Sequence, residues 1–158
     1  MKSIWFYDTQ IGKIGIAEDG EGITQVSLNS PPDSEAELRE TSLIRTAYEE
    51  LEEYFQGKRK SFDIRLHLEG TEFQKKVWQA LTEIPYGETR SYQDIARAVG
   101  NPKGCRAVGM ANNRNPVMIL VPCHRVIGKN GKMVGYGGGI SVKEALLRLE
   151  RENKSCDV

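Results

Sequence analysis

Cys123 stands at the end of an apolar run and directly before a histidine and an arginine, in Pro122-Cys123-His124-Arg125-Val126. A thiol attacks as the thiolate, and basic or cationic neighbours favour that form. The pentapeptide therefore has the composition of a nucleophilic site. The run before it, Pro116-Val117-Met118-Ile119-Leu120-Val121, is expected to form a short buried strand that delivers the cysteine to one place, with Pro122 ending the strand. Neither remaining cysteine stands beside a histidine. Cys105 is expected to pack or lie near a ligand in a basic helix, and Cys156 to be exposed in the polar segment around Glu152-Asn153-Lys154-Ser155.

A Cys-His pair also suits a metal, but only His67, His124 and three scattered cysteines are available, with no C-x-x-C pair, so no metal is expected. Three cysteines at wide spacing do not make a secreted disulfide framework either, and a reducing, cytoplasmic setting fits them better. No run approaches the roughly 20 apolar residues of a membrane span, and Met1-Lys2-Ser3-Ile4-Trp5 lacks the apolar core of a signal peptide. No membrane association is expected. The 158 residues, 39% of them hydrophobic, suffice for one domain or two small lobes.

The formal net charge of zero conceals an asymmetry. Residues 1 to 70 carry 8 Lys and Arg against 14 Asp and Glu, whereas residues 71 to 158 carry 14 against 8. Between residues 90 and 132 there are 8 basic residues and a single acidic one, Asp94. Such a segment suits a polyanion; a solvated basic face answering an acidic lobe explains the same charges equally well.

The elements that must position Cys123 read as two lobes in an α+β chain. Ile4 to Tyr7, Lys13 to Glu18 and Ile23 to Leu28 form short strands of a small antiparallel sheet, separated by Gly12, Gly20 and Gly22. Ser34-Glu35-Ala36-Glu37 has the form of a capping box, opening a helix through Leu43, Ile44, Ala47, Tyr48, Leu51 and Phe55 that Gly57 ends. Phe62 to Leu68 alternates as a strand. The second lobe begins at another capping box, Thr71-Glu72-Phe73-Gln74, whose helix carries Phe73, Val77, Trp78 and Leu81 to the turn Ile84-Pro85-Tyr86-Gly87. Ser91 to Gly100 is then a short capped helix, and Lys103 to Asn112 a basic one with Ala107, Val108 and Met110 inward. Helix, glycine turn and basic helix make the helix-turn-helix pattern. Ser141-x-x-Glu144 is expected to cap the last helix.

A helix-turn-helix immediately before a reactive-cysteine motif is an unusual pairing. At Asn115-Pro116-Val117-Met118-Ile119-Leu120-Val121-Pro122-Cys123-His124-Arg125-Val126 the chain resembles the O6-alkylguanine-DNA alkyltransferases, the methylated-DNA--protein-cysteine methyltransferases. Phe73 to Trp78, Ile84 to Gly87, Ser91-Tyr92, Arg106-Ala107-Val108-Gly109, Gly135-Tyr136 and Lys143 to Leu147 follow that family's order and spacing, so the resemblance covers residues 71 to 152. It implies a ribonuclease-H-like sheet and helix lobe over 1–70, and over 71–158 a mostly helical lobe with a winged-helix-like helix-turn-helix and the active-site cysteine.

The function so implied is DNA repair. The alkyl group of O6-alkylguanine, with O4-alkylthymine as a second candidate lesion, passes irreversibly to Cys123 after the base is flipped from double-stranded DNA bound through its minor groove. A single-turnover reaction, a monomer and no cofactor are expected. The family roles carry over by position: His124 as general base through a water, Glu150, 27 residues after the cysteine, as the carboxylate that orients it, and Tyr92 as donor to guanine N3. Arg106 corresponds to the side chain that fills the gap left by the base, with Tyr92, Ala107, Gly109, Arg114 and Arg125 also on DNA. Asn115 is a hinge. The backbone of Cys123 and Val126 receives the guanine amine, and Tyr136 and Gly137 of the Gly135 to Gly139 loop form the opposite wall. Gly137 departs from relatives that place serine there. Some members bind zinc in the N-terminal lobe, but with His67 alone and no cysteine before Cys105 that site looks absent. A cysteine hydrolase leaves the helix-turn-helix unexplained, and a plain transcription regulator leaves Cys123-His124 idle. A non-catalytic alkylated-DNA lesion binder is the nearest alternative, set against by the intact Cys123.

Overall fold

The computed structural model describes residues 2–29, 35–128 and 140–154. Two compact units divide the chain, Met1–Glu69 and Gly70–Val158. Among the described residues no helix is long and apolar enough to cross a membrane.

In the first unit, β1 (Ser3–Thr9), β2 (Gly12–Glu18) and β3 (Ile23–Leu28) form an antiparallel meander, and a two-residue strand, β4 (Glu37–Leu38), adds in parallel to the free edge of β1. The central strand β2 is buried from Ile14 to Glu18. Helix α1 (Ser42–Phe55) supplies Ile44, Ala47, Leu51, Tyr54 and Phe55 to the core that Ile4, Ile14, Ile16 and Val26 supply from the sheet.

Two sequence expectations change here. Helix α1 opens at Thr41, whose side chain accepts the Ile44 amide, rather than at the Ser34 to Glu37 box. Glu37 of that box is spent on the sheet edge, its amide donating to Lys2 O at 2.9 Å; Ser34 itself lies outside the described residues. Phe62 to Leu68 is not a strand but touches the sheet at a single bridge, Ile23 with Leu66. The buried Glu50 carboxylate accepts the Asp63 and Ile64 amides at 3.0 and 3.3 Å, so a side chain takes donors that a strand would have paired.

In the second unit the capping signals are realised. Thr71 and Gln74 exchange bonds at the start of α2 (Glu72–Thr82), and Ser91 and Asp94 do the same for α3 (Tyr92–Ala98). Gly100, at φ 79°, ends α3: its amide bonds Arg97 O and that of Asn101 bonds Ala96 O, a left-handed closure that glycine permits at little cost. Helix α4 (Cys105–Asn113) then packs on α2 and α3, with Trp78 Nε1 of α2 donating to Ala111 O at 2.9 Å.

The buried face of α4 is Val108, Ala111 and Asn112. Ala107 and Met110, expected inward, are exposed, because the packing of two neighbours on one side of a short helix leaves only a narrow inner arc. A parallel pair, β5 (Arg90–Ser91) with β6 (Val126–Ile127), joins the start of the helix-turn-helix to the end of the cysteine turn. Helix α5 (Ile140–Lys154) is already helical at Ile140, so Ser141 lies inside it and is not its cap.

Thr41→Ala is expected to destabilise the protein by about 1 kcal/mol through loss of the α1 cap. Urea unfolding with an unchanged m-value measures this, and an unaltered midpoint contradicts it.

Candidate active site

The apolar run before Cys123 is buried but does not run straight. Asn115 clamps it, its Nδ2 donating to Val121 O at 2.8 Å and its Oδ1 accepting the Val117 amide at 3.1 Å. Ile119 takes φ 72°, and Val121 N bonds Val117 O at 3.0 Å, so the segment doubles back. The hydrophobic pattern reported burial correctly, while the Asn115 amide took the groups that would have paired in a strand. Beyond Pro122, residues Cys123–Arg125 form one 3-10 turn, with the Arg125 amide bonding Pro122 O at 3.0 Å. Cys123 is 6% exposed and His124 fully buried.

Helix α5 brings Glu150, also fully buried, to that turn. Its Oε2 accepts His124 Nε2 at 2.6 Å and Arg125 Nη2 at 3.0 Å, and its Oε1 accepts Arg125 Nε at 2.8 Å and the Gly87 amide at 3.2 Å. Arg125 Nη1 donates to Ile84 O at 2.8 Å, and the guanidinium lies 5.6 Å from the Tyr86 ring centroid. Gly87, at φ 79°, holds a left-handed turn that aims its amide at the carboxylate. Burial alone raises a carboxyl pKa, but the His124 hydrogen bond and the Arg125 charge outweigh it and hold Glu150 down at about 2. Desolvation lowers the pKa of His124 against the pull of Glu150. The imidazole is therefore neutral beside an ionised carboxylate that fixes the Nε2–H tautomer, leaving Nδ1 as the basic nitrogen.

Around the thiol stand Tyr92 of α3 and Lys143 of α5. The Tyr92 phenol is raised by burial and by the charge of Cys123, and its ring carbons lie 3.8 to 3.9 Å from where a Cβ on Gly109 would stand. Lys143 is fully buried and donates to Val126 O at 2.5 Å; burial lowers its pKa while the Cys123 charge pulls it back up. Sequence reasoning gave Lys143 no role. The available signal was a lysine at the same helical face as Leu146, Leu147 and Glu150.

Cys123, His124, Val126, Asn115, Tyr92 and Glu150 are thus gathered in one place. Arg106, Ala107 and Arg114 lie on the exposed side of α4, with Gly109 half-buried beside Tyr92. Arg125 corrects an expectation: grouped with the DNA contacts, it is buried and its guanidinium is taken by Glu150 and Ile84. Tyr136 and Gly137 lie outside the described residues. Among those described, one group has metal-ligand types, Asp19, Glu21 and His67 of the first unit, where His67 Nδ1 lies 2.5 Å from Asp19 Oδ2.

Residues 72–152 match the family model of the 6-O-methylguanine DNA methyltransferase DNA binding domain, and residues 5–68 that of its ribonuclease-like domain. A methylated-DNA--protein-cysteine methyltransferase of Methanosarcina acetivorans is 55% identical over 150 residues, covering 91% of this chain and 95% of the relative. A constitutive one of Bacillus subtilis is 49% identical over 152 residues, covering 91% and 92%. The crystal structure of the Mycobacterium tuberculosis protein OGT in complex with DNA superposes with a TM-score of 0.90 at 44% identity, over 96% of this chain and 94% of that one.

Because the Glu150 carboxyl is depressed on folding, its stabilisation is complete above the ordinary carboxyl pKa and is lost as pH falls toward about 2. The depressed His124 acts in the same direction, since below its unfolded pKa the unfolded chain takes up a proton that the folded chain resists. Thermal melting is therefore expected to show Glu150→Gln clearly less stable than the parent at neutral pH, with the gap closing on acidification. A gap independent of pH contradicts the ionised-carboxylate assignment.

Proposed function

The chain belongs to the 6-O-methylguanine DNA methyltransferase family, a family of DNA-repair proteins that move an alkyl group from DNA onto a cysteine, and we propose that Cys123 is that cysteine. The observation that carries the proposal is the buried array of Cys123, His124 and Glu150, with the histidine kept neutral by burial and its Nε2 held by an ionised carboxylate. This is the arrangement that takes a proton from a neighbouring thiol.

In the proposed reaction His124 Nδ1 receives the Cys123 proton through a water. The thiolate then displaces the O6-alkyl carbon in line: the sulfur–carbon bond forms as the carbon–O6 bond breaks, and the electron pair stays on the guanine. Tyr92 supplies a proton to N3 of the departing base, and the proton held by His124 restores the balance, so the net change is a thiol converted to a thioether and a guanine released. A thioether does not hydrolyse, which makes the reaction stoichiometric. Arg125 acts by holding the carboxylate that holds the histidine, and Lys143 places positive charge beside the thiolate.

The partner is DNA. Its approach through the minor groove, with the α3–α4 helix-turn-helix seated there, Arg106 filling the gap left by an extruded O6-alkylguanine, and action as a monomer, are parts of the proposal. Burial of Cys123 supports the flipping step, because an atom inside the base stack cannot reach a buried sulfur. The exposed basic side of α4 supports docking. A lesion binder without transfer is not favoured, since the relatives compared are methyltransferases and the cysteine is present here.

Incubating excess O6-methylguanine duplex with the protein is expected to restore one guanine per protein chain and then stop, with Cys123→Ala restoring none. Tyr92→Phe is expected to slow single-turnover transfer by about 100-fold, the typical cost of a lost donor to developing charge, with duplex affinity retained. Tight binding without loss of methyl from the DNA overturns the proposal in favour of a lesion binder.

A further inference from the structure

Asn112 is 1% exposed, on the inner face of α4, and among the described residues neither its Nδ2 nor its Oδ1 has a hydrogen-bond partner. Asn115, three residues on, spends both amide atoms on the backbone of the cysteine loop. Leaving a buried donor or acceptor unmade costs about 1–3 kcal/mol, and such groups are uncommon in native structures. A leucine is nearly the same size and carries no polar atoms to satisfy. A carboxamide kept at this position has a use that the unliganded protein does not display.

Its direction follows from the helix. At 100° per residue, position 112 falls between Val108, which faces the core, and Gly109, which flanks the Tyr92 ring. Tyr92 in turn feels the charge of Cys123, and the loop that follows α4 is pinned at Val121, two residues before the cysteine. The Asn112 carboxamide thus occupies the arc of α4 between its core face and the Gly109 side that meets the Tyr92 ring.

Resting on the proposed transfer reaction, the geometry points to Asn112 as a base-reading residue, whose carboxamide hydrogen-bonds the flipped alkylguanine. With N3 given to Tyr92, O6-alkylguanine still presents at N1 a ring-nitrogen acceptor next to the exocyclic amino donor. A carboxamide offers the complementary pair, Nδ2 donating to the ring nitrogen and Oδ1 accepting from the amine. The cost of the unmet amide in the free protein is then recovered only when this base enters, and a base without the amine leaves the Oδ1 acceptor unpaired. Sites built on buried polar groups discriminate strongly in this way.

The test compares Asn112→Leu with the parent in single-turnover transfer from duplexes carrying O6-methylguanine or O6-methylhypoxanthine, which lacks the 2-amino group, alongside thermal melting. The leucine variant is expected to melt no lower than the parent, to transfer from O6-methylguanine about tenfold more slowly at subsaturating protein, and to lose most of the preference for the amine-bearing base. An unchanged preference between the two bases overturns the inference, as does a lower melting temperature with both rates intact, which identifies Asn112 as a packing residue. Should Asn112→Leu fail to fold, Asn112→Met supplies the same comparison, with acceptor and donor both lost. A parent protein that transfers from neither duplex defeats the proposed function itself, an outcome separate from any change of preference.

Discussion

A carboxylate with no access to water organises the catalytic unit. Glu150 can remain ionised inside the protein only if its lone pairs are occupied, and His124, Arg125 twice and the Gly87 amide occupy them. These donors come from the turn after α2 and from the cysteine turn, while the acceptor comes from α5. The carboxylate consequently cannot be satisfied until all three segments are in place. Removing one partner of such a buried pair typically costs about 3–5 kcal/mol, so assembly of the site and folding of the unit are the same event. The same contact has a chemical result. By taking the Nε2 hydrogen it turns the other imidazole nitrogen into the base, while Arg125 balances the charge so that the histidine need not be protonated.

The position of the nucleophile dictates how the substrate must arrive. Cys123 sits in a tight 3-10 turn behind a loop clamped by Asn115, shielded from solvent. A duplex cannot insert its stacked bases there, which is why the proposed reaction takes the base out of the stack. The helix-turn-helix serves both ends of that requirement. The first residue of α3 is the half-buried Tyr92, and Arg106 and Arg114 are exposed on α4 and at its end, where the proposed function places DNA. Gly109, beside the Tyr92 ring, is where the docking helix and the pocket meet.

Some of this was legible in the residues alone. Thr71 with Gln74 and Ser91 with Asp94 announced α2 and α3 because a capping box is a local device whose partners lie three residues apart. Gly100 marked the turn for the same reason. The three-strand meander followed from alternation and glycines. Ser34 to Glu37 carried the same kind of local signal and misled, since a sheet edge competed for Glu37 and Thr41 was available as a better-placed cap. Periodicity shows that a segment is buried but not what satisfies its backbone: Pro116 to Val121 and Phe62 to Leu68 both have the pattern of strands, and Asn115 and Glu50 side chains take their hydrogen bonds instead. Arg125 resembles a DNA contact in sequence because its charge is visible there and its burial against Glu150, 25 residues away, is not. The family resemblance, by contrast, named Glu150 where spacing on a helix offered no reason to choose it over other exposed-looking acidic residues.

The most direct test of the account is where the alkyl group ends up. Peptide mapping by mass spectrometry, after the protein meets a duplex with a single O6-methylguanine, is expected to find one methyl group, on the peptide carrying Cys123 and on neither Cys105 nor Cys156. A methyl group on another residue, or a protein that stays unmodified while the lesion is lost from the DNA, contradicts the role assigned to Cys123 and to the buried carboxylate that organises its surroundings.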